Sequence, residues 1–443
     1  MLKYAVFWLS LAGVPVLAGA LAMRLKWIRW AIFGMVVGLC IYQPTAINFF
    51  SHEWYTGTAR GMEISLIHLL ALAVVLALAL RGRRGPLLPE GGIRTYAVYF
   101  FLCLPSLLNA DDPLIGWLEV WKMILLFLFW HAVYRYLRAT GDVGCVVVAL
   151  ALFTLADFVS VLRQHYGGRF QVCGVFPTWN SLGAGMNLLG AVCLAGYLQM
   201  GVRNWTGRLF AAAAAGAAAS TVWSYSRVAI ATMPVAYGMA ALGCLVGGRR
   251  RGAVLLRLTP VVLAGFAGIC IAWAHIVDRF VNAPKQSGET RREMAYCAFE
   301  MMNDHPFAGV GINNISLNMT DDHPYRKRAE EKMGKELETG GVVETLYFLV
   351  GAECGIPAAL ALVAWFGWHA LASLKATWVL RGTEWHFVAA GLAGGISANI
   401  LQGTLDWALR QPINLFLLGF CFALTAYLAR WKRSAGTTER RVA

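Results

Sequence analysis

The chain has 443 residues, of which 58% are apolar and only 14% charged, with a net charge of +14 and a mean hydropathy of +0.57. A soluble domain carries about 25% charged residues, so this chain could not cover a water-facing globule. That excludes a soluble enzyme, a secreted disulfide scaffold, a disordered chain and a nucleic-acid binder. Ten cysteines are scattered without a C-x-x-C pair, which points to small buried apolar side chains rather than a zinc site or a disulfide framework.

Apolar runs long enough for a hydrocarbon core of about 30 Å recur along the whole length. Taken in chain order, the candidate spans are 4–22, 28–46, 62–80, 95–109, 117–135, 143–162, 182–200, 208–224, 228–246, 253–276, 342–370, 386–405 and 412–430. The first run ends in Ala20-Leu21-Ala22, faintly like a cleavage site, and is kept as a helix. The run at 95–109 is short, and 342–370 is long enough to be tilted or broken. The fold class expected is therefore all-α, a polytopic transmembrane helical bundle of about 12–13 spans. Its parts are N-terminal transmembrane helices over 1–276, a large loop over 277–341, and C-terminal transmembrane helices with a tail over 342–443.

Lys and Arg gather in alternate connections: Arg24, Lys26 and Arg29; Arg81, Arg83, Arg84 and Arg94; Arg135 and Arg138; Arg249, Arg250, Arg251 and Arg257; and the tail from Arg430. With Arg203, Arg208, Lys375 and Arg381 these are more than half of the 38 basic residues, and they mark that side as cytoplasmic. The bias accounts for much of the positive charge without an acidic ligand. The short connections on the opposite side hold Arg60, Arg163, Arg169, Arg227 and Arg410, and no lysine. Arginine offers an always-charged planar fork that binds phosphate bidentately, which lysine does not. The alternative for each is a lipid headgroup or a neighbouring carboxylate.

Between about His275 and Gly341 the hydrophobic pattern breaks, again on the outer side, and acids nearly balance bases. That balance fits a folded, solvated cap. Met294, Cys297, Ala298 and Met301 recur at helical spacing within 289–303, which predicts an amphipathic helix ending at His305-Pro306. A second helix is expected over Tyr325–Leu337, where opposite charges stand four apart. Gly309-Val310-Gly311 reads as a turn, since it has neither a preceding strand nor a Gly-Lys-Ser/Thr. Asp321-Asp322-His323 crowds metal-ligand residue types, but adjacent residues rarely face one ion, so a solvated loop is the better reading.

Outer arginines beneath a folded loop, over an apolar body, suit a ligand with a lipid tail and a diphosphate at headgroup level. Glycosyl transfer from a lipid diphosphate needs donors that stabilise the leaving group, together with a base for the acceptor hydroxyl. No metal and no cofactor is required where arginines supply that charge.

Residues 291–314, RREMAYCAFEMMNDHPFAGVGINN, resemble the arginine-to-Gly-Val-Gly-Asn stretch of the O-antigen ligase and O-antigen polymerase superfamily. Ser226-Arg227 resembles its Ser-Arg pair, 346–357 (LYFLVGAECGIP) its helix after the large periplasmic loop, and Gln402 to Arg410 the segment before its last helix. The resemblance implies an inverting, metal-independent glycosyltransferase of the bacterial inner membrane, with its active site facing the periplasm. Its partners would be an undecaprenyl-diphosphate-linked glycan donor, a lipid-linked or glycan acceptor and membrane lipids. Carried over by motif, Arg227 and Arg291 would hold the diphosphate, with Arg292 as the rival of its neighbour. Arg163, Arg169 and Arg410 are supporting candidates from charge alone.

One departure stands out. Where the family shows a His-Asn pair, with His as the base, this chain has Val343-Glu344-Thr345. Glu344 is then the candidate base, with His323 folding back from the loop as the alternative and a helix cap as the structural reading. His52, Glu53 and Arg60 read as a solvated outer loop, Glu119 and Lys122 as a helix-face ion pair, and Trp179 with Asn180 as an interfacial or sugar-stacking turn. Asp157 within an apolar run is either functional or paired. Ligase stands ahead of polymerase, and a carrier transporter or flippase is the competing class, disfavoured by the lack of a clear internal repeat.

Overall fold

The computed structural model describes residues 2–52, 54–82, 88, 91–248, 251–281, 285–320, 323–334 and 341–430. Glu53, Arg83, Arg84, Arg249, Arg250, the Asp321-Asp322 pair, the end of the large loop at 335–340 and the tail after Arg430 lie outside the described residues. The helices are α1 (Leu2–Met23), α2 (Leu25–Val37), α3 (Tyr42–Thr45), α4 (Leu66–Leu80), α5 (Ile93–Cys103), α6 (Pro113–Thr140), α7 (Val143–Tyr166), α8 (Trp179–Met200), α9 (Trp205–Trp223), α10 (Arg227–Gly247) and α11 (Arg251–Val281). They continue with α12 (Lys285–Asp304) and α13 (Pro324–Met333) in the large loop, then α14 (Leu346–Cys354), α15 (Ile356–Val379), α16 (His386–Gln402) and α17 (Pro412–Leu428). Among the described residues, eight helices are long and apolar enough to cross a membrane, and three shorter apolar ones pack with them. This is an all-α, multi-pass membrane protein.

Local chemistry sets the helix ends. Asp112, Asp142, Thr178, Asn204 and Ser226 each cap the helix that follows, their side chains accepting a backbone N–H of its first turn. Gly141, in the left-handed conformation at φ 69°, closes α6. One feature differs from the sequence reading. The connection after α3 folds into an antiparallel hairpin, β1 (Ile47–Ser51) with β2 (Gly61–Ile64), where a loop is expected. The run 342–370, whose length allows a tilted or a broken helix, is broken, because Gly355 at φ 88° separates α14 from α15.

The break has a packing cause. The turn after α12 lays its backbone on the α14–α15 junction: Val310 N–H donates to Ala352 O at 2.9 Å, Gly311 N–H to Glu353 O at 3.0 Å, and Ile356 N–H to Pro306 O at 2.8 Å. A Cβ at Gly309 would lie 2.3 Å from Glu353 backbone, and one at Gly355 would lie 2.4 Å from Phe307 O. These glycines therefore serve close backbone approach. The large loop builds a second small core in which Cys297, Ala298, Met301, Ile315, Ala329 and Val343 are buried together. The helix expected at 289–303 lies inside α12, on the apolar face that its spacing predicts. The second expected helix, Tyr325–Leu337, is described only as Pro324–Met333.

Alternate connections collect at opposite ends of the bundle. At the basic end Arg29 pairs with Asp142 at 3.1 Å, and Arg257 donates to the carbonyls of Leu198 and Gln199. At the other end Asn313 joins the large loop to the hairpin and α6, donating to Ala59 O at 2.8 Å and Ile115 O at 2.9 Å while accepting from Thr58 and Ala59 N–H. Asn313 holds φ 58°, a conformation that asparagine tolerates better than most residues.

Candidate functional site

At the end that carries the large loop, Ser226 caps α10 and Arg227 forms its first residue, half-buried. The Ser226 hydroxyl donates to Asn180 Oδ1 at 2.6 Å. Asn180, in the first turn of α8, donates its Nδ2 to Asp406, and its own carbonyl accepts from Gln402 Nε2 at 3.0 Å. Asp406 Oδ1 accepts the Ala408 N–H at 2.6 Å. A polar chain therefore runs from the α9–α10 turn through α8 to the α16–α17 connection, and each link depends on a cap or a turn.

Asp406 is 4% exposed. Burial pushes its carboxyl up to about 7; the Glu344 charge adds to the rise, while the Ala408 N–H, the Arg291 guanidinium and Asn180 hold it back. Asp406 therefore sits in the field of both Arg291 and Glu344. Those two form an ion pair, Arg291 Nε donating to Glu344 Oε2. Their side chains are 26% and 37% exposed, so the pair opens to solvent. Arg292, one residue on, is exposed, while Arg291 meets the carboxylate. Glu344 precedes the α14 cap residue Thr345, and its carboxylate engages Arg291.

The other candidates fall elsewhere. Arg410 is 5% exposed, with Glu119 at 3.2 Å and Glu353 at 2.5 Å. Lys122 meets Glu119 at 2.7 Å and donates to Thr58 O at 3.3 Å. The outer-facing role expected of Arg410 gives way to an internal one, because two carboxylates from apolar helices take its guanidinium. The helix-face pair of Glu119 and Lys122 is there, as part of this larger buried cluster. Arg163 and Arg169 are exposed, at the end of α7 and in the α7–α8 connection. His323 precedes α13 with its ring 5.3 Å from Tyr325. Burial lowers its pKa, Asp111 raises it and Arg328 lowers it, so its charged neighbours lie on the α5–α6 connection and α13. Among the described residues no contact brings it to Arg291 or Glu344. Asp157 accepts the Val175 N–H at 2.7 Å and so braces the α7–α8 connection. Trp179, 39% exposed, opens α8 beside Asn180.

Asp406 is the residue that the sequence reading passed over, although it stands in the quoted 402–410 segment. An acid four residues before Arg410, in a short outer connection, is the signal that the sequence offers.

Comparison with known proteins gives a match over part of the chain. No curated protein matches the chain. A family model described as O-antigen ligase matches residues 210–363, which run from the middle of α9 into α15 and include Ser226, Arg227, Arg291, Glu344 and the Gly309-to-Asn314 turn. Asn180, Asp406 and Arg410 lie outside the matched stretch. The resemblance in the short motifs thus extends over the central third of the chain, and that segment is similar to the O-antigen ligase family.

Proposed function

We propose that the protein transfers a glycan from undecaprenyl diphosphate to a sugar hydroxyl of a lipid-linked acceptor. The reaction would take place at the periplasmic face of a bacterial inner membrane. The observation that carries the reading is the half-open Arg291–Glu344 pair, which lies in the field of Asp406, a residue itself hydrogen-bonded through Asn180 to the Ser226–Arg227 turn.

An arginine paired with a carboxylate in partial contact with solvent can exchange that partner for an incoming diphosphate, a more highly charged acceptor. The exchange frees Glu344 at the moment the donor arrives. The acceptor oxygen then attacks the anomeric carbon, and the carbon–oxygen bond to the diphosphate breaks. The diphosphate leaves with the electron pair, stabilised by Arg291 and Arg227, and the hydroxyl proton passes to Glu344. A single displacement inverts the anomeric centre. The arginines supply the charge stabilisation that a divalent cation provides in other transferases. Asp406 is the second proton acceptor within the cluster, since a carboxyl titrating near 7 can exchange a proton at neutral pH.

The test is transfer by purified protein from undecaprenyl-diphosphate-linked glycan, with lipid-linked and repeat-unit acceptors offered separately. Glu344→Gln is expected to abolish transfer while donor binding persists, and a preference for the lipid-linked acceptor marks a ligase. Wild-type protein that moves the carrier across the bilayer without transferring its glycan would refute the reading. Use of the repeat unit alone would make the protein a polymerase.

A further inference from the structure

The connection between α7 and α8 presents an aromatic surface that the arginine–carboxylate cluster leaves unexplained. Phe170 is 67% exposed, yet its ring lies parallel to that of Tyr225, at 5.1 Å and 5°. Tyr225 immediately precedes Ser226-Arg227 and holds φ 50°, a left-handed conformation that is uncommon for a bulky residue. Strain of this kind persists where surrounding structure enforces it, and it clusters at ligand sites. The turn around Tyr225 is held on both sides, Tyr225 N–H donating to Val222 O at 3.0 Å and Ser226 N–H to Ser224 Oγ at 3.2 Å. The connection that carries Phe170 is braced separately: Gln164 accepts the Cys173 and Gly174 N–H groups at 2.8 and 2.9 Å and donates to Gly174 O at 2.8 Å, while Asp157 takes the Val175 N–H.

An aromatic that only anchors a protein at the membrane surface needs no fixed ring plane. A pyranose does need one, because its apolar face of C–H bonds packs flat on an aromatic ring while its rim hydroxyls seek donors. Arg169 precedes Phe170 and is exposed, so it offers such donors. Arg227 stands two residues after Tyr225, which sets the ring pair beside the position assigned to the diphosphate.

We propose that Phe170 and Tyr225 form a carbohydrate subsite that stacks a pyranose ring of the lipid-linked donor and aligns it next to the diphosphate. This rests on the donor assignment made above, and the experiment separates the two. Protein in nanodiscs is titrated with undecaprenyl diphosphate carrying an oligosaccharide and with the same carrier bearing no sugar. Wild type should bind the glycosylated carrier more tightly. Phe170→Ala and Phe170→Leu should each weaken that binding about tenfold, the order expected for one aromatic contact, and leave the bare carrier unaffected, while Phe170→Trp retains the preference. Tyr225→Gly, which accepts the left-handed backbone and removes the ring, should fold at least as stably as wild type and still lose the preference. Full preference in Phe170→Leu would show that the ring contacts lipid and would overturn the subsite. Equal weakening for both carriers would overturn it as well, by making the ring a structural support. Wild type that binds neither carrier would overturn the donor assignment and the subsite with it.

Discussion

Two clusters of arginine and carboxylate stand at the same end of this bundle, and they differ in closure. Around Arg410, the carboxylates of Glu119 and Glu353 and the ammonium of Lys122 are all nearly inaccessible, and each formal charge has an opposite neighbour. Around Arg291, the pair with Glu344 is partly solvated, and the nearby Asp406 is held toward its neutral form. A sealed, balanced cluster can lose a partner only at a high desolvation cost, so it fixes helices. An open pair can trade its carboxylate for another anion at small cost, so it suits a ligand. The arginine side chain is the same in both places, and burial decides what it does.

The largest effect should come from breaking the sealed cluster. Arg410→Met leaves the buried Glu353 carboxylate without its cation and Glu119 with Lys122 alone, and should destabilise the protein by about 3–5 kcal/mol, read as thermal unfolding in detergent. Adding Glu353→Gln should recover part of the loss. A stable Arg410→Met protein that fails in transfer would instead move Arg410 into the ligand site and erase the contrast between the clusters.

At the open cluster the expectation reverses. Arg291→Ala should reduce transfer by roughly 10²–10³-fold, as loss of a charge-stabilising donor does, while stability changes by less than about 1 kcal/mol. Arg291→Lys should restore little, because the point charge of lysine lacks the bidentate fork.

Asp406 links stability to pH at the open cluster. Its folded pKa of about 7 lies above the ordinary aspartate value of about 3.9. The folded protein therefore holds the proton more tightly, and the associated stability is fully present below about pH 4 and is lost as pH rises through about 7. Melting temperatures of wild type should fall across that window relative to Asp406→Asn. Parallel curves would mean that Asp406 is charged throughout and that the cluster is more open than its burial implies.

The smallest effect belongs to the link between the α9–α10 turn and this cluster. Ser226→Ala removes the α10 cap and the bond to Asn180, and should cost about 1 kcal/mol. Transfer should fall further than stability, since Asn180 then loses one of the contacts that orient it toward Asp406.

Much of this architecture is legible in the chain. Long apolar runs require membrane helices, because backbone groups in hydrocarbon must bond within their own segment, and among the described residues Arg29, Arg81 and Arg257 each bond to a neighbouring connection or helix end. The α12 face of Cys297, Ala298 and Met301 follows from helical spacing, and the Arg291 and Glu344 positions follow from short motifs in order. The hairpin at Ile47–Ile64 was not legible, since its strands are short and lie in a connection between spans. A break within 342–370 is compatible with the length of that run, but its place at Gly355 follows from the Pro306–Gly311 backbone that packs against it.

The sequence by itself determined an all-α membrane bundle, its two unlike ends and a helical cap, because apolar period, charge bias and capping residues act within a few positions of one another. Which arginine meets which acid was decided only by the tertiary structure. Arg291 and Glu344 are 53 residues apart, Asn180 and Asp406 are 226 apart, and Arg410 and Glu119 are 291 apart. No local periodicity spans such distances. Packing of distant helices sets both the pairing and the solvent access, and solvent access is what separates a cation that braces the fold from the one proposed to receive a diphosphate.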